Sequence, residues 1–267
     1  MKKNKVLITG ASGYLGKNLC KYFYEHDYYV IAQSRDINNK ELKLISHKQV
    51  LIENIYSLDI DFVVHNLSLT KYFGDWGEFQ KINIELSKKI FKNFRDIKQV
   101  YISSIAVFGY RQDKTLISEN SLRLNTDDKN IDMYSRSKIE VENFIDDNHL
   151  NVSIVRPGLI YGNRDKSDSK QIISKYTTVP LVEVNGLCKV IELTLYNDRA
   201  IINAVDKEVE FRVEYEKDNK SIILLPNFVF EIAKKIFRKP SRLHILNMMN
   251  RQNRYENKVY KRFLNEL

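Results

Sequence analysis

Thiols are scarce in this chain: 267 residues hold two cysteines, Cys20 and Cys188. Neither they nor the five scattered histidines fall at metal-ligand spacing, so no metal centre is expected. Cys20 sits inside the first expected helix and reads as a small buried hydrophobe. Such sparing use of thiols fits a reducing compartment. Long apolar runs are missing too, and no stretch approaches a transmembrane span. The basic lead Met1-Lys2-Lys3-Asn4-Lys5 before an apolar run imitates a signal peptide, but the run is too short and breaks at Gly10. The chain is therefore expected in the cytoplasm. No nucleic-acid-binding motif is present, and nucleic acid is not an expected partner.

The formal net charge is +9, and it is unevenly spread. Phe228 to Leu267 holds ten Lys/Arg against three Asp/Glu, so +7 of the charge belongs to this tail. Charge runs of this kind are usually solvated helix faces. The tail could instead attract a diphosphate, and contact with an anionic membrane surface is the weakest of the three readings.

What the sequence does have begins at once. Val6-Leu7-Ile8-Thr9 enters Gly10-Ala11-Ser12-Gly13-Tyr14-Leu15-Gly16 and exits into an amphipathic stretch. Strand, glycine turn and helix together aim backbone amides at a phosphate, with partial positive charge at the helix N-terminus. The spacing is Gly-x-x-Gly-x-x-Gly rather than Gly-x-Gly-x-x-Gly, and a tight turn that binds nothing is the competing reading.

Strands follow at Tyr28–Ala32, Gln49–Ile52, Asp61–His65, Gln99–Ile102 and Val152–Val155, alternating with helices at Tyr14 to His26, around Phe79–Leu86 and from Met133. That alternation predicts an α/β protein: a Rossmann-like, doubly wound parallel sheet, with ligands at the carboxyl ends of the strands. Strand two runs into Gln33-Ser34-Arg35 and carries no acid that would bond ribose hydroxyls. A Ser-Arg pair suits the 2′-phosphate of NADP(H), a solvated surface arginine being the other reading. Arg111 to Ile131 is polar and aperiodic, a loop over the site. Tyr134 and Lys138 then fall four apart on a helix and share a face.

Gly10/Gly13/Gly16, Ser104 in Val100-Tyr101-Ile102-Ser103-Ser104-Ile105-Ala106-Val107-Phe108-Gly109, Tyr134-x-x-x-Lys138 and Arg156-Pro157-Gly158-Leu159-Ile160-Tyr161-Gly162 occur in one order. In that order and spacing they resemble the extended short-chain dehydrogenase/reductases, and within them the nucleotide-sugar epimerase/dehydratase/reductase group. The likeness is good over residues 5–162 and poor beyond. It implies a dinucleotide-binding domain over 1–162. Residues 163–267 would form a small, abbreviated substrate lobe, with strand and helix returns to the main domain and a basic tail.

By the same resemblance Ser104, Tyr134 and Lys138 are catalytic. Gly10, Ser12, Gly13, Tyr14, Leu15, Gly16, Ser34 and Arg35 would hold the dinucleotide, Asn54 and Ile55 would border its adenine, and Leu67 and Ser68 its pyrophosphate–ribose side. Pro157 and Ile160 would border the nicotinamide, Tyr134 and Lys138 would also touch the cofactor, and Asn83 matches a structural helix asparagine. The resemblance further implies a nucleotide-diphosphate sugar as substrate and a homodimer through the helices bearing Asn83 and Tyr134.

Interconverting an alcohol and a ketone needs a proton donor or acceptor at the oxygen while hydride moves at the carbon. A free tyrosine ionises near pH 10, so a nearby ammonium and the positive nicotinamide ring are needed to favour the tyrosinate. Lys138 is placed to act so on Tyr134, and Ser104 to orient the substrate oxygen. Two absences narrow the chemistry. Dehydratases of the group carry Asp-Glu directly after the serine, where this chain has Ile105-Ala106, and members that both epimerise and reduce use a cysteine where Ala106 stands. What remains is NADP(H)-dependent reduction of a keto-sugar, in surface polysaccharide or deoxysugar biosynthesis, or 4-epimerisation with NAD. A dinucleotide-binding regulatory protein without turnover is the rival from another class. In the second half, a strand and helix are expected from Pro180, a strand at Val209-Phe211-Val213-Tyr215, another at Ile222–Pro226, and an amphipathic helix from Phe228 to about Arg238.

Overall fold

The computed structural model describes residues 3–111, 114–128, 131–162, 171–174, 177–210, 222–237 and 239–265. In chain order the first half contains β1 (Lys5–Thr9), α1 (Tyr14–Glu25), β2 (Tyr29–Gln33), α2 (Lys40–Leu44), β3 (Lys48–Val50), a 3₁₀ turn at Ile52–Ser57 and β4 (Phe62–His65). A helix then starts as α3 (Trp76–Phe79), passes through a π-helical segment (Gln80–Glu85) and continues as α4 (Leu86–Asn93). After it come β5 (Lys98–Ile102), a 3₁₀ turn at Ile105–Phe108, β6 (Leu116–Ile117), α5 (Met133–Asp147), β7 (Val152–Pro157) and β8 (Leu159–Tyr161). The remainder holds β9 (Gln171–Ser174), β10 (Thr178–Glu183), α6 (Val184–Tyr196), β11 (Ile201–Ala204), β12 (Lys207–Glu210), β13 (Ile222–Leu225), α7 (Asn227–Ile236), α8 (Pro240–Met249), β14 (Arg254–Tyr255) and α9 (Lys258–Asn265).

Seven strands form one sheet in the order β11-β7-β5-β4-β1-β2-β3, every pair parallel. The order reverses between β1 and β4, the position where such sheets open a crevice for a ligand. Because helices cover both faces, the strands must be apolar on both sides. In β1, Val6 and Ile8 join a core with Leu19 and Phe23 of α1, Leu187 and Ile191 of α6, and Tyr260 and Phe263 of α9. Leu7 faces the other way, toward Ile90 and Phe91 of α4 and Val141 and Ile145 of α5. Each such side chain, fully buried, contributes roughly 1.5–3 kcal/mol.

The doubly wound parallel sheet is as the sequence predicts, with some shifted ends. Strand β3 stops at Val50, two residues short of the expectation, and Ile52 opens a 3₁₀ turn instead. Strand β11 gave no sequence signal: it is four residues long and gains its partners only by pairing with β7. Helices α6 and α9 pack on the main sheet beyond residue 162, and β11 forms its edge beside β7. The smaller part comprises the β12-β10-β8 sheet, the β13-β9 pair, α7 and α8.

The described parts of the 111–131 stretch are anchored. Strand β6 pairs with β14, Leu124 N–H bonds the Val107 carbonyl at 2.8 Å, and Arg123 pairs with Glu142 and Asp146. Residues 112–113 and 129–130 lie outside the described residues, as do 163–170 in the abbreviated segment. Of the strand expected over 209–215, Val209 lies in β12 and 211–215 are not described. The helix expected to reach Arg238 is α7, ending at Ile236, and Arg238 is outside the description. No described helix is long and apolar enough to cross a membrane, and the described residues form no cluster that could hold a metal ion.

Candidate active site

The carboxyl ends of β1, β2, β4, β5 and β7 open into a cavity of about 1260 Å³. That exceeds the usual span for a small-ligand pocket and gives room for a dinucleotide with a second ligand. One end is built by the glycine turn. Gly10 adopts φ +65°, and a Cβ there would lie 2.8 Å from Leu67 Cα. Gly16 does not line the cavity: a Cβ on it would meet the Gly10 carbonyl oxygen at 2.2 Å, so it lets α1 pack against the turn. Gly13 caps α1 without a side-chain bond, and the first turn carries no acid. The helix N-terminus is thus left to an anion at the cavity wall, where Ser12, Gly13, Tyr14 and Leu15 lie.

The turn is braced from both sides. Gln33 Oε1 accepts from Gly10 N–H at 3.0 Å. Asn66 Nδ2 donates to the Gly10 carbonyl at 3.3 Å, and Thr9 Oγ1 accepts from the amides of Asn66 and Leu67, each at 3.1 Å. Beneath it His65 is fully buried between Thr9 Oγ1 (2.8 Å) and Ser87 Oγ (2.7 Å), and burial lowers its pKa to about 3. A neutral imidazole bonded on both nitrogens serves the architecture, not proton transfer.

Ser34 and the exposed Arg35 lie at the same end of the cavity, beyond β2. Leu67 and Ser68 line it, as do Pro157 and Ile160. Asn54 and Ile55 do not: Ile55 is fully buried in the core and Asn54 is exposed, while Ile52 takes the lining position because β3 ends early. The residues expected near a pyrophosphate, a 2′-phosphate and a nicotinamide therefore border one continuous space. An uncapped helix end and a glycine cradle suit a dinucleotide diphosphate.

At the far end Ser104, Tyr134 and Lys138 come together. Ser104 caps the 3₁₀ turn through Ala106 N–H at 3.1 Å, and its hydroxyl is hydrogen-bonded to the Tyr134 phenol, which draws that phenol's pKa down. Burial outweighs this pull and raises Tyr134 to about 12. Lys138 Nζ donates to the Ile102 carbonyl at 2.7 Å and lies 4.7 Å from the Tyr101 ring centroid and 5.6 Å from that of Tyr134. Burial lowers its pKa to about 7, against the opposing pull of Glu142. The positive nicotinamide ring that shares in the expected tyrosinate belongs to the bound cofactor. Lys138 is half-neutral near pH 7, and Tyr134 stays a phenol, the form that donates a proton.

Helix α5, which presents this pair, is held at three points. Asp132 caps it, accepting from Ser135 N–H at 2.8 Å and Ser135 Oγ at 2.6 Å. Asn83, in the π-helical segment, accepts from Leu69 N–H at 2.7 Å and donates to Ser137 Oγ at 2.9 Å, tying the loop after β4 to α5. Glu142 receives Arg156 in two bonds at 3.0 and 2.7 Å, Arg123 at 2.8 Å and Ser103 Oγ at 2.5 Å, and these partners hold its pKa below the ordinary carboxylate value despite burial.

The substrate-side wall carries residues that sequence reasoning missed. Tyr72, Tyr110, Met248, Met249, Arg251 and Tyr255 line it. Behind Tyr72 and Tyr110 sits buried His244, its Nδ1 3.4 Å from Asp132 Oδ2 and its ring 4.4 Å and 5.1 Å from theirs. Burial lowers the His244 pKa against the pull of Asp132. His244, Met248, Met249, Arg251 and Tyr255 lie beyond residue 240, where no motif marks them. Tyr110 directly follows the Ser104–Gly109 stretch and was the legible one.

A model described as the NAD dependent epimerase/dehydratase family matches residues 6–197. Solved structures share the fold at low identity. Human epimerase family protein SDR39U1, solved with NADPH, superposes at TM-score 0.73 and 14% identity over 97% of this chain and 93% of that one. UDP-glucuronic acid 4-epimerase from Bacillus cereus, in complex with UDP-glucuronic acid and NAD, gives 0.67 and 18% over 83% and 86%. ADP-L-glycero-D-manno-heptose-6-epimerase from Helicobacter pylori gives 0.73 and 14% over 98% and 90%. No curated protein sequence compared with this one matches it.

Proposed function

The chain belongs to the NAD-dependent epimerase/dehydratase family and is an NAD(P)-dependent enzyme of it, and from that premise we propose that it is an NADP(H)-dependent reductase of a nucleotide-linked keto-sugar, converting the 4-keto group to a hydroxyl in surface polysaccharide or deoxysugar biosynthesis. The observation that carries this reading is the Ser104–Tyr134 pair, with the phenol raised to about 12 and so protonated at neutral pH. A ketone reduction ends with a proton on the former carbonyl oxygen, and Tyr134 is its source. Ser104 donates a hydrogen bond to that oxygen and orients it. Lys138 holds cofactor hydroxyls from the same face of α5.

Gly10, Ser12, Gly13, Tyr14 and Leu15 hold the diphosphate, Ser34 and Arg35 the 2′-phosphate, Leu67 and Ser68 the adjoining ribose side, and Pro157 and Ile160 the nicotinamide. The dinucleotide, when bound, supplies hydride to the carbonyl carbon. Ile105 and Ala106 offer no acid or base for eliminating water, which supports simple hydride chemistry. NADPH in the human structural neighbour agrees with the Ser34-Arg35 reading.

The second reading, a 4-epimerase retaining NAD, is favoured by the Bacillus cereus neighbour with its UDP-glucuronic acid and NAD. Denaturing the purified protein and identifying any released dinucleotide separates the two. Preference for NADPH over NADH, with NADPH oxidation on a 4-keto-sugar nucleotide, supports the reductase. Stoichiometric retained NAD, with interconversion of 4-epimers and no net cofactor oxidation, supports the epimerase. The homodimer belongs to the proposal as well. It would form through the helices bearing Asn83 and Tyr134, and sedimentation velocity over a range of protein concentrations tests it: a single monomer-sized species at every concentration removes the dimer.

A further inference from the structure

An amphipathic helix on a globular protein normally turns its apolar stripe inward. Helix α7 does the reverse. Only Phe230 of its residues is buried, while Phe228, Ile232 and Ile236, spaced four apart on one face, are 63%, 53% and 66% exposed. Phe237 just beyond α7 and Ile245 on α8 extend the apolar surface. This short stretch holds five of the exposed large hydrophobic residues of the described chain. Contiguous apolar surface of this kind marks a docking site.

The charges around it choose the occupant. Residues 227–250 contain five Lys/Arg and one acid, Glu231. Glu231 is already bonded to Lys234 at 2.8 Å and to Asn250 at 3.2 Å, so it offers little repulsion to an incoming anion. Lys235, Lys239 and Arg242 are exposed, and the Arg242 guanidinium sits 5.1 Å from the Phe237 ring centroid. A second copy of the same face would set Lys239 and Arg242 against their own like charges. A nucleic acid would meet the cations but leave the phenylalanine and isoleucines in water. Apolar side chains ringed by lysine and arginine match the boundary between anionic headgroups and acyl chains.

We propose that the α7–α8 face seats on an anionic lipid bilayer surface. Met248 and Met249 at the end of α8 line the active-site cavity, so the docking face and the substrate side of the cavity belong to one lobe. Binding is peripheral, with the three α7 side chains entering the headgroup–acyl boundary and the cations paired with lipid phosphates.

The test is co-sedimentation of the full chain with vesicles of pure phosphatidylcholine and of phosphatidylcholine with 30% phosphatidylglycerol. The expected result is pelleting with the anionic vesicles alone, weakened by raised salt. The combined variant Phe228→Ser/Ile232→Ser/Ile236→Ser should lose at least tenfold in partition coefficient. Lys239→Glu/Arg242→Glu should lose at least as much, since each cation near such a surface is worth about fivefold. Dinucleotide binding and the thermal transition show that each variant is folded, and the charge variant stands alone should the serine variant fail that check. No pelleting with anionic vesicles overturns the proposal, as does pelleting indifferent to the variants. Concentration-dependent self-association that the serine variant abolishes, without vesicle binding, assigns the face to a second copy and also overturns it.

Discussion

Replacing Lys138 with methionine should make this protein more stable at neutral pH while removing its activity. The lysine is 2% exposed and its pKa falls from 10.5 to about 7. Between those values the unfolded chain holds a proton that the folded chain has released, so stability rises with pH across that window. The difference disfavours the fold by about 4 kcal/mol at pH 7 and by about 1 kcal/mol at pH 10. Methionine keeps the apolar length and removes the titration. It also removes the bond to the Ile102 carbonyl and the contact with the Tyr101 ring, together worth about 2–3 kcal/mol. A net gain of about 1–2 kcal/mol at pH 7 remains, or roughly 2–6 °C in Tm for a chain of this size. By pH 10 the gain should vanish or change sign. Urea denaturation of both proteins at pH 7 and pH 10 measures it directly. A methionine variant less stable at pH 7, or equally stabilised at both pH values, refutes the reasoning that Lys138 is a desolvated amine held for function.

Tyr134→Phe should lower kcat/KM by about 10²–10⁴-fold, the usual range for losing a general acid, while the Kd for NADPH from fluorescence titration stays within about twofold. Arg35→Ala should weaken NADPH by roughly tenfold to a hundredfold, the range of a hydrogen bond to a charged group, and leave NADH unchanged; equal weakening of both would remove Arg35 from the 2′-phosphate. Glu142→Gln leaves Arg156 buried without its anion and should cost about 3–5 kcal/mol in urea denaturation at pH 7. Because the folded-state pKa of Glu142 lies below its ordinary value, that advantage of the wild type is full at neutral pH. It should shrink as pH falls below the ordinary carboxylate range.

The sheet was legible because its strands are two-sided apolar runs between helices, and the cluster of Ser104, Tyr134 and Lys138 because each sits in a local motif. What escaped the sequence is what tertiary pairing creates. Strand β11 has no run of its own and exists by registering Ile201 to Ala204 against β7. The adenine-side assignment missed because two residues separate the expected and observed ends of β3, enough to exchange Asn54 and Ile55 for Ile52. His244 and Arg251 reach the site through α8 and the segment after it, more than 100 residues beyond Tyr134, and no spacing encodes that return. The effect of Lys138 on Tyr134 was expected from proximity alone. Burial, invisible in the sequence, raises the phenol and neutralises part of the lysine.

The return of α9 to the first core sets a schedule for biosynthesis. Tyr260 and Phe263 complete the layer that Val6, Ile8 and Leu19 begin, about 240 residues earlier. Until Phe263 has been made, α6 and β11 lack the helix that packs on them. At 5–20 residues per second, the chain from the end of β11 to Phe263 takes at least about three seconds, a window in which that part of the apolar layer is open to chaperones.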